Sequence, residues 1–133
     1  MAYLKEFLNG DWTALVEDDG CVGYAYLLYQ GKIVSDVWLY NRGPAPEVAP
    51  WKDSDTTMPF LNSAEYVTDE GVMHAPSPDA LSVSWSGSDG PGLEVAVCID
   101  DHLIAWLAPN ARPGWSTLVK RSGPLARIRE RCG

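Results

Sequence analysis

Two apolar runs, Cys21–Tyr29 and Ile33–Tyr40, flank Gln30-Gly31, and no other stretch restricts the fold so strongly. Glycine beside a polar residue, between segments rich in Val, Ile, Leu and Tyr, is the signature of a two-residue hairpin loop whose twist matches that of its strands. Pairing outward from that loop places Val22, Leu39, Tyr24, Val37, Tyr26, Ser35, Leu28 and Ile33 on one face, which reads as core. The opposite face pairs Cys21 with Tyr40, Gly23 with Trp38, Ala25 with Asp36 and Leu27 with Val34. It is only partly polar, so a helix or the following loop is expected to cover it in part, with Trp38 lying over Gly23.

Other segments fall into place around this hairpin. Tyr3–Leu8 carries Leu4, Phe7 and Leu8 at helical spacing and ends at Asn9-Gly10, a good left-handed helix stop. Trp12–Val16 reads as a strand. Leu81, Val83 and Trp85 alternate with three serines, and Leu93–Ile99 alternates again before Asp100-Asp101 and His102–Leu107, a second hairpin. That turn sets Val97 against Ile104 and Val95 against Trp106. Gly114-Trp115 opens a last extended segment through Val119, and Pro124 after Ser122-Gly123 suits the first turn of a helix over Leu125–Cys132. The stretch from Asn41 to Pro59, with four prolines and Trp51, reads as a long ordered loop. The order of elements predicts an α+β fold: one domain over residues 1–133, a curved antiparallel sheet of about six strands, and short helices at the N- and C-termini.

The charge is lopsided. Residues 1–111 carry 17 acidic and 4 basic side chains, whereas 112–133 carry 6 basic and 1 acidic, for a net charge of −8. A hydrophobic content of 46% with six Trp and six Tyr excludes an acidic disordered chain, and the acidity argues against nucleic acid as the main ligand. The first residues lack the apolar run of a signal peptide, and no stretch approaches the ~20 apolar residues of a membrane span. Cys21, Cys98 and Cys132 are odd in number and widely spaced, which fits neither a disulfide framework nor a zinc site. A reduced, cytoplasmic protein is expected, with Cys21 and Cys98 acting as small apolar residues within strands.

Motifs for catalysis are absent: there is no nucleophile elbow, phosphate loop, dinucleotide fingerprint or zinc-protease helix. His74 and His102 stand beside turns and read as solvent-exposed. Gly87–Gly92 joins two strands and opens no helix, so it reads as a hairpin loop. The Glu17-Asp18-Asp19 and Asp100-Asp101 groups lack the oxygen-ligand spacing of a calcium loop, and no metal, cofactor or catalytic residue is expected. Arg127, Arg129 and Arg131 would splay around a helix, not form a phosphate-binding stripe. What stands out is aromatic residues among carboxylates: Glu17, Asp18, Asp19, Trp51, Asp53, Asp55, Asp100, Asp101 and Trp115 are the candidate partner-binding residues. Aromatics supply anchoring area and carboxylates steer a basic partner.

In size, charge and organisation, with Pro113-Gly114-Trp115-Ser116 and Ser122-Gly123-Pro124-Leu125-Ala126 near its end, the chain resembles the small acidic bacterial immunity proteins that neutralise secreted toxins. That resemblance implies a cytoplasmic inhibitor with no catalysis of its own, which blocks a basic toxin or nuclease domain. Two alternatives stay open: a self-associating structural domain, and a small-molecule binder using a concave sheet lined by Tyr24, Tyr26, Trp85 and Trp106.

Overall fold

A computed structural model describes residues 2–47, 62–74, 76–87 and 92–128. Its eight strands form two four-stranded antiparallel sheets, each a meander in chain order. The N-terminal sheet holds β1 (Tyr3–Asn9), β2 (Trp12–Asp18), β3 (Val22–Tyr29) and β4 (Lys32–Asn41). The C-terminal sheet holds β5 (Leu81–Ser86), β6 (Glu94–Ile99), β7 (His102–Ala108) and β8 (Ala111–Ser116). Two 3-10 turns, Asp69–Gly71 and Pro78–Ala80, are the only helical elements among the described residues.

The expected α+β fold with a six-stranded sheet and terminal helices is therefore corrected. Tyr3–Leu8 is a strand, with Tyr3, Lys5 and Phe7 half-buried and Leu4, Glu6 and Leu8 exposed. The helical spacing of Leu4, Phe7 and Leu8 yields because β2 offers seven consecutive partners, from Tyr3 opposite Asp18 to Asn9 opposite Trp12. A six-residue segment cannot sustain an isolated helix against such a ladder. At the other end, 125–127 forms no helix: Trp115 bridges Arg127 in parallel, Arg127 N–H donates to the Gly114 carbonyl (2.9 Å), and Ser116 N–H donates to that of Arg127 (2.9 Å). Trp38 N–H donates to the Leu125 carbonyl (3.0 Å). This segment thus stitches β8 of one sheet to β4 of the other, a long-range gain unavailable to a helix. Residues 129–132, the rest of the expected helix, lie outside the described residues.

The Gln30-Gly31 loop forms as expected, with φ of +49° and +83°. Both central residues are left-handed, as in the mirror-image turn that fits twisted strands, and glycine takes that φ freely. The register beyond it differs from simple pairing. Two bulges, between Leu27 and Leu28 and between Gly23 and Tyr24, each slip β4 by one residue, so Ala25 meets Val37, Tyr24 meets Trp38 and Gly23 meets Tyr40. A one-residue slip exchanges the faces. The ring of Tyr40, not of Trp38, therefore covers Gly23, and Tyr26, Leu28 and Ile33 turn away from the core. A third bulge in the second hairpin sets Val97 against Ala105 and Val95 against Leu107.

The inner faces meet through Ala14, Val16, Ala25, Leu27 and Val37 from the first sheet and Val95, Val97, Ala105 and Leu107 from the second, all in one cluster. β4 packs on β7 and β8, and the Ser35 hydroxyl donates to the Ala111 carbonyl. Among the described residues, 62–73 and 118–126 cover one end of the outer face of the N-terminal sheet and leave the other end open. Gly71 lies close against the Val67 side chain and the Trp38 ring, while Val67 bridges Val119 and Asn41 bridges Val72. Buried Asn41 pins this arm: its Oδ1 accepts from Asn62 N–H and Trp38 Nε1 (2.9 Å each), and its Nδ2 donates to the Asn62 carbonyl (2.8 Å).

Candidate functional site

The uncovered end of that outer face is where side chains with binding potential gather. Strand alternation and the bulged register bring Leu4 of β1, Leu15 and Glu17 of β2, Tyr26 of β3, and Ile33 and Asp36 of β4 around a groove of about 430 Å³, closed at one side by Arg112 of β8. Leu4, Leu8 and Ile33 are 65%, 73% and 44% exposed, among the largest apolar exposures of the described residues. Such a contiguous aliphatic surface differs from the singly scattered apolar residues of an ordinary exterior.

Carboxylates line the groove. Glu17 Oε1 accepts from the Tyr26 hydroxyl at 2.9 Å. Burial, then that bond, then the charges of Glu17, Asp36 and Asp19 push the Tyr26 phenol above its ordinary range, so it stays a donor. Asp36 is nearly buried, and its Oδ2 accepts from Arg112 Nε at 2.7 Å, while the arginine side chain is 53% exposed. Only the bound end of this pair is shielded, so it contributes modestly and leaves the guanidinium open to solvent.

The structure separates the residues expected to bind together. Glu17 lines the groove. Asp18 points the other way, buried on the inner face, and accepts from the Tyr40 hydroxyl (2.6 Å), Gly20 N–H (2.8 Å) and Arg42 Nη1 (3.2 Å). Tyr40 remains protonated because burial, then its bonds to Asp18 and Tyr3, raise its phenol. Asp18 therefore holds the fold and is withdrawn from any partner. Asp19 is exposed but occupied by its own turn, with Oδ1 accepting from the N–H groups of Cys21 (2.8 Å) and Val22 (2.9 Å). Asp100 and Asp101 form the exposed β6–β7 loop with φ of +50° and +66°, on the other sheet from Glu17. Trp115 is half-buried on β8 beneath the Arg127 guanidinium, 4.9 Å from the ring centre. Trp51, Asp53 and Asp55 lie outside the described residues.

Asp36 and Arg112 are the charged residues of the groove that sequence reasoning passed over, beside the apolar Leu4, Leu15 and Ile33 and the Tyr26 phenol. Asp36 carried a signal, since a lone carboxylate inside an apolar strand needs a partner; that partner, 76 positions away, is set by tertiary contact. Cys21 sits exposed in the turn before β3 and not within the strand. Of the aromatic residues proposed to enclose a small molecule, Tyr24 is fully buried, Tyr26 lines the groove, and Trp85 lines a cavity of about 330 Å³ with Trp12 and Leu93. Among the described residues, no three His, Cys, Asp or Glu side chains converge as a metal site, and no helix is long and apolar enough to cross a membrane.

Fold and groove together define a two-sheet antiparallel β protein that carries an apolar, acid-flanked recess on the outside of one sheet. No family model matches the chain, and no curated protein and no solved structure matches it either.

Proposed function

We propose that this chain is a protein-binding module, a cytoplasmic inhibitor of the immunity type, which docks a basic toxin or nuclease domain on the open outer face of its N-terminal sheet. One observation carries the reading: exposed aliphatic side chains surround a groove walled by Glu17 and Asp36, on a chain of net charge −8. The aliphatic floor supplies the desolvated contact that gives affinity; Glu17 and the net negative charge of the chain select and steer a partner with positive charge at its rim, while Asp36 is neutralised by Arg112 and shapes the wall. Relative to the surface first read from the sequence, the reading keeps Glu17, adds Leu15, Tyr26, Ile33 and Asp36, and leaves Asp18 to the fold. In place of the acidic turns it uses a sheet face, which presents its side chains with less loss of freedom on binding.

The test is recovery of a partner from host lysate at low and moderate salt with the wild-type chain, Glu17→Lys and Ile33→Ser. The expected result is a single basic protein held by the wild type, weakened by added salt, and lost from both variants while their melting curves stay within a few degrees of the wild type. Equal recovery by all three chains would place the contact elsewhere and overturn the reading.

A further inference from the structure

We propose that the free edge of β1 accepts an extended segment of the partner as a fifth strand of the N-terminal sheet, and that this segment carries a lysine or arginine between two aliphatic residues at alternate positions. The proposal rests on the reading above and adds to it how the partner is held.

β1 is an outer strand of its sheet, and among the described residues it pairs with β2 alone. Among the described residues, no other backbone group hydrogen-bonds to Tyr3–Asn9. A seven-residue edge with a row of unpaired N–H and C=O groups is a template for strand addition. The remaining sheet edges are managed. β4 is covered by the Met73 N–H bond to Asn41 (2.9 Å) and the Trp38 bond to Leu125. β5 turns three serines to solvent, and its Leu81 carbonyl receives the Lys5 ammonium (3.4 Å). β1 instead presents Leu4 and Leu8, the two most exposed large apolar residues among those described, on either side of Glu6.

Charge decides the occupant. If a second copy added antiparallel about Glu6, Leu4 would meet the other copy's Leu8, but Glu6 would meet Glu6, and like charges directly opposite destabilise a sheet. Lys5 does not offset this, because it points to the other face and its ammonium is held by the carbonyls of Pro78 (2.5 Å) and Leu81. A heterologous strand with a cation opposite Glu6 keeps the two aliphatic contacts and exchanges repulsion for attraction. Its outward side chains then continue the apolar surface that runs from Leu4 into the groove.

The probe is a blocked peptide in which valine, lysine and valine alternate with threonine, titrated to millimolar concentration into the isotopically labelled protein and read by amide shifts. The shifts are expected to concentrate on Tyr3–Asn9 and to weaken about fivefold when glutamate replaces the lysine. They should vanish on N-methylation of one alternate set of backbone nitrogens but not of the other, since a strand edge uses one set. Glu6→Lys should reverse the preference between the lysine and glutamate peptides. No shift, shifts spread away from β1, indifference to which set is methylated, or an unreversed preference would each overturn the proposal. Doubling of the wild-type mass on concentration, with the same amides shifting, would overturn it in favour of self-pairing. Failure here combined with partner loss in Glu17→Lys would leave the groove reading standing. Success here with unaltered recovery by Glu17→Lys would leave strand addition without it.

Discussion

Asp18 and Glu17 are neighbours in sequence with opposite fates, because consecutive side chains of a strand point to opposite faces. Glu17 meets solvent and Tyr26, whereas Asp18 enters the core and is kept there by Tyr40, Arg42 and Gly20. Removing the Tyr40 hydroxyl leaves a buried carboxylate short of a donor, so Tyr40→Phe should destabilise the fold by about 1–3 kcal/mol in denaturant titration. The tyrosines also set a pH dependence. Tyr3, Tyr26 and Tyr40 all have phenols raised in the folded state, each chiefly by burial. The unfolded chain therefore releases protons first, and the stability these groups contribute is complete below pH ~10 and falls as pH rises above it. Tyrosinate absorbance should show a fraction of the tyrosines ionising only together with alkaline unfolding, and Tyr40→Phe should shrink that fraction.

At the scale of elements, the three bulges explain most of what pairing rules alone misplaced. Gln30-Gly31 and Asp100-Asp101 were legible as turns because their chemistry is local. The bulges were not, because an extra residue is accepted wherever facing side chains pack better for it. Here the slip brings Tyr40 over Gly23 and frees Ile33 for the groove. The same holds for 125–127, whose path depends on bonds to β8 nearby and to β4, which is distant in sequence. Leu125 is buried and its carbonyl caps Trp38 N–H, so Leu125→Ala should cost about 3 kcal/mol. Hydrogen exchange at Trp38 should accelerate more in that variant than exchange at Val16.

The whole molecule places most of its acidic charge and its barest apolar surface on one chain but not at one spot. The proposed docking implies that Asp100-Asp101 and Glu17 would act on a partner at different ranges, the turn through the long-range field and Glu17 by contact. Reversing Asp100 and Asp101 together should lower the association rate of the partner by severalfold at low salt and leave dissociation unchanged, measured by stopped flow. Glu17→Lys should change both rates.

Several properties follow from the sequence alone. Strands alternate at Leu81–Trp85 and Leu93–Ile99, two-residue turns stand where their residues demand them, and the chain carries a net charge of −8, because each of these depends on neighbours within a few positions or on a plain sum. Tertiary structure decided the rest. It turned Leu4, Phe7 and Leu8 from a helical stripe into an edge strand, joined Arg112 to Asp36, and buried Asp18 while leaving Glu17 outside. Each outcome rests on contacts between distant segments, where the free energy of pairing and burial exceeds the small local preferences that a sequence pattern reports.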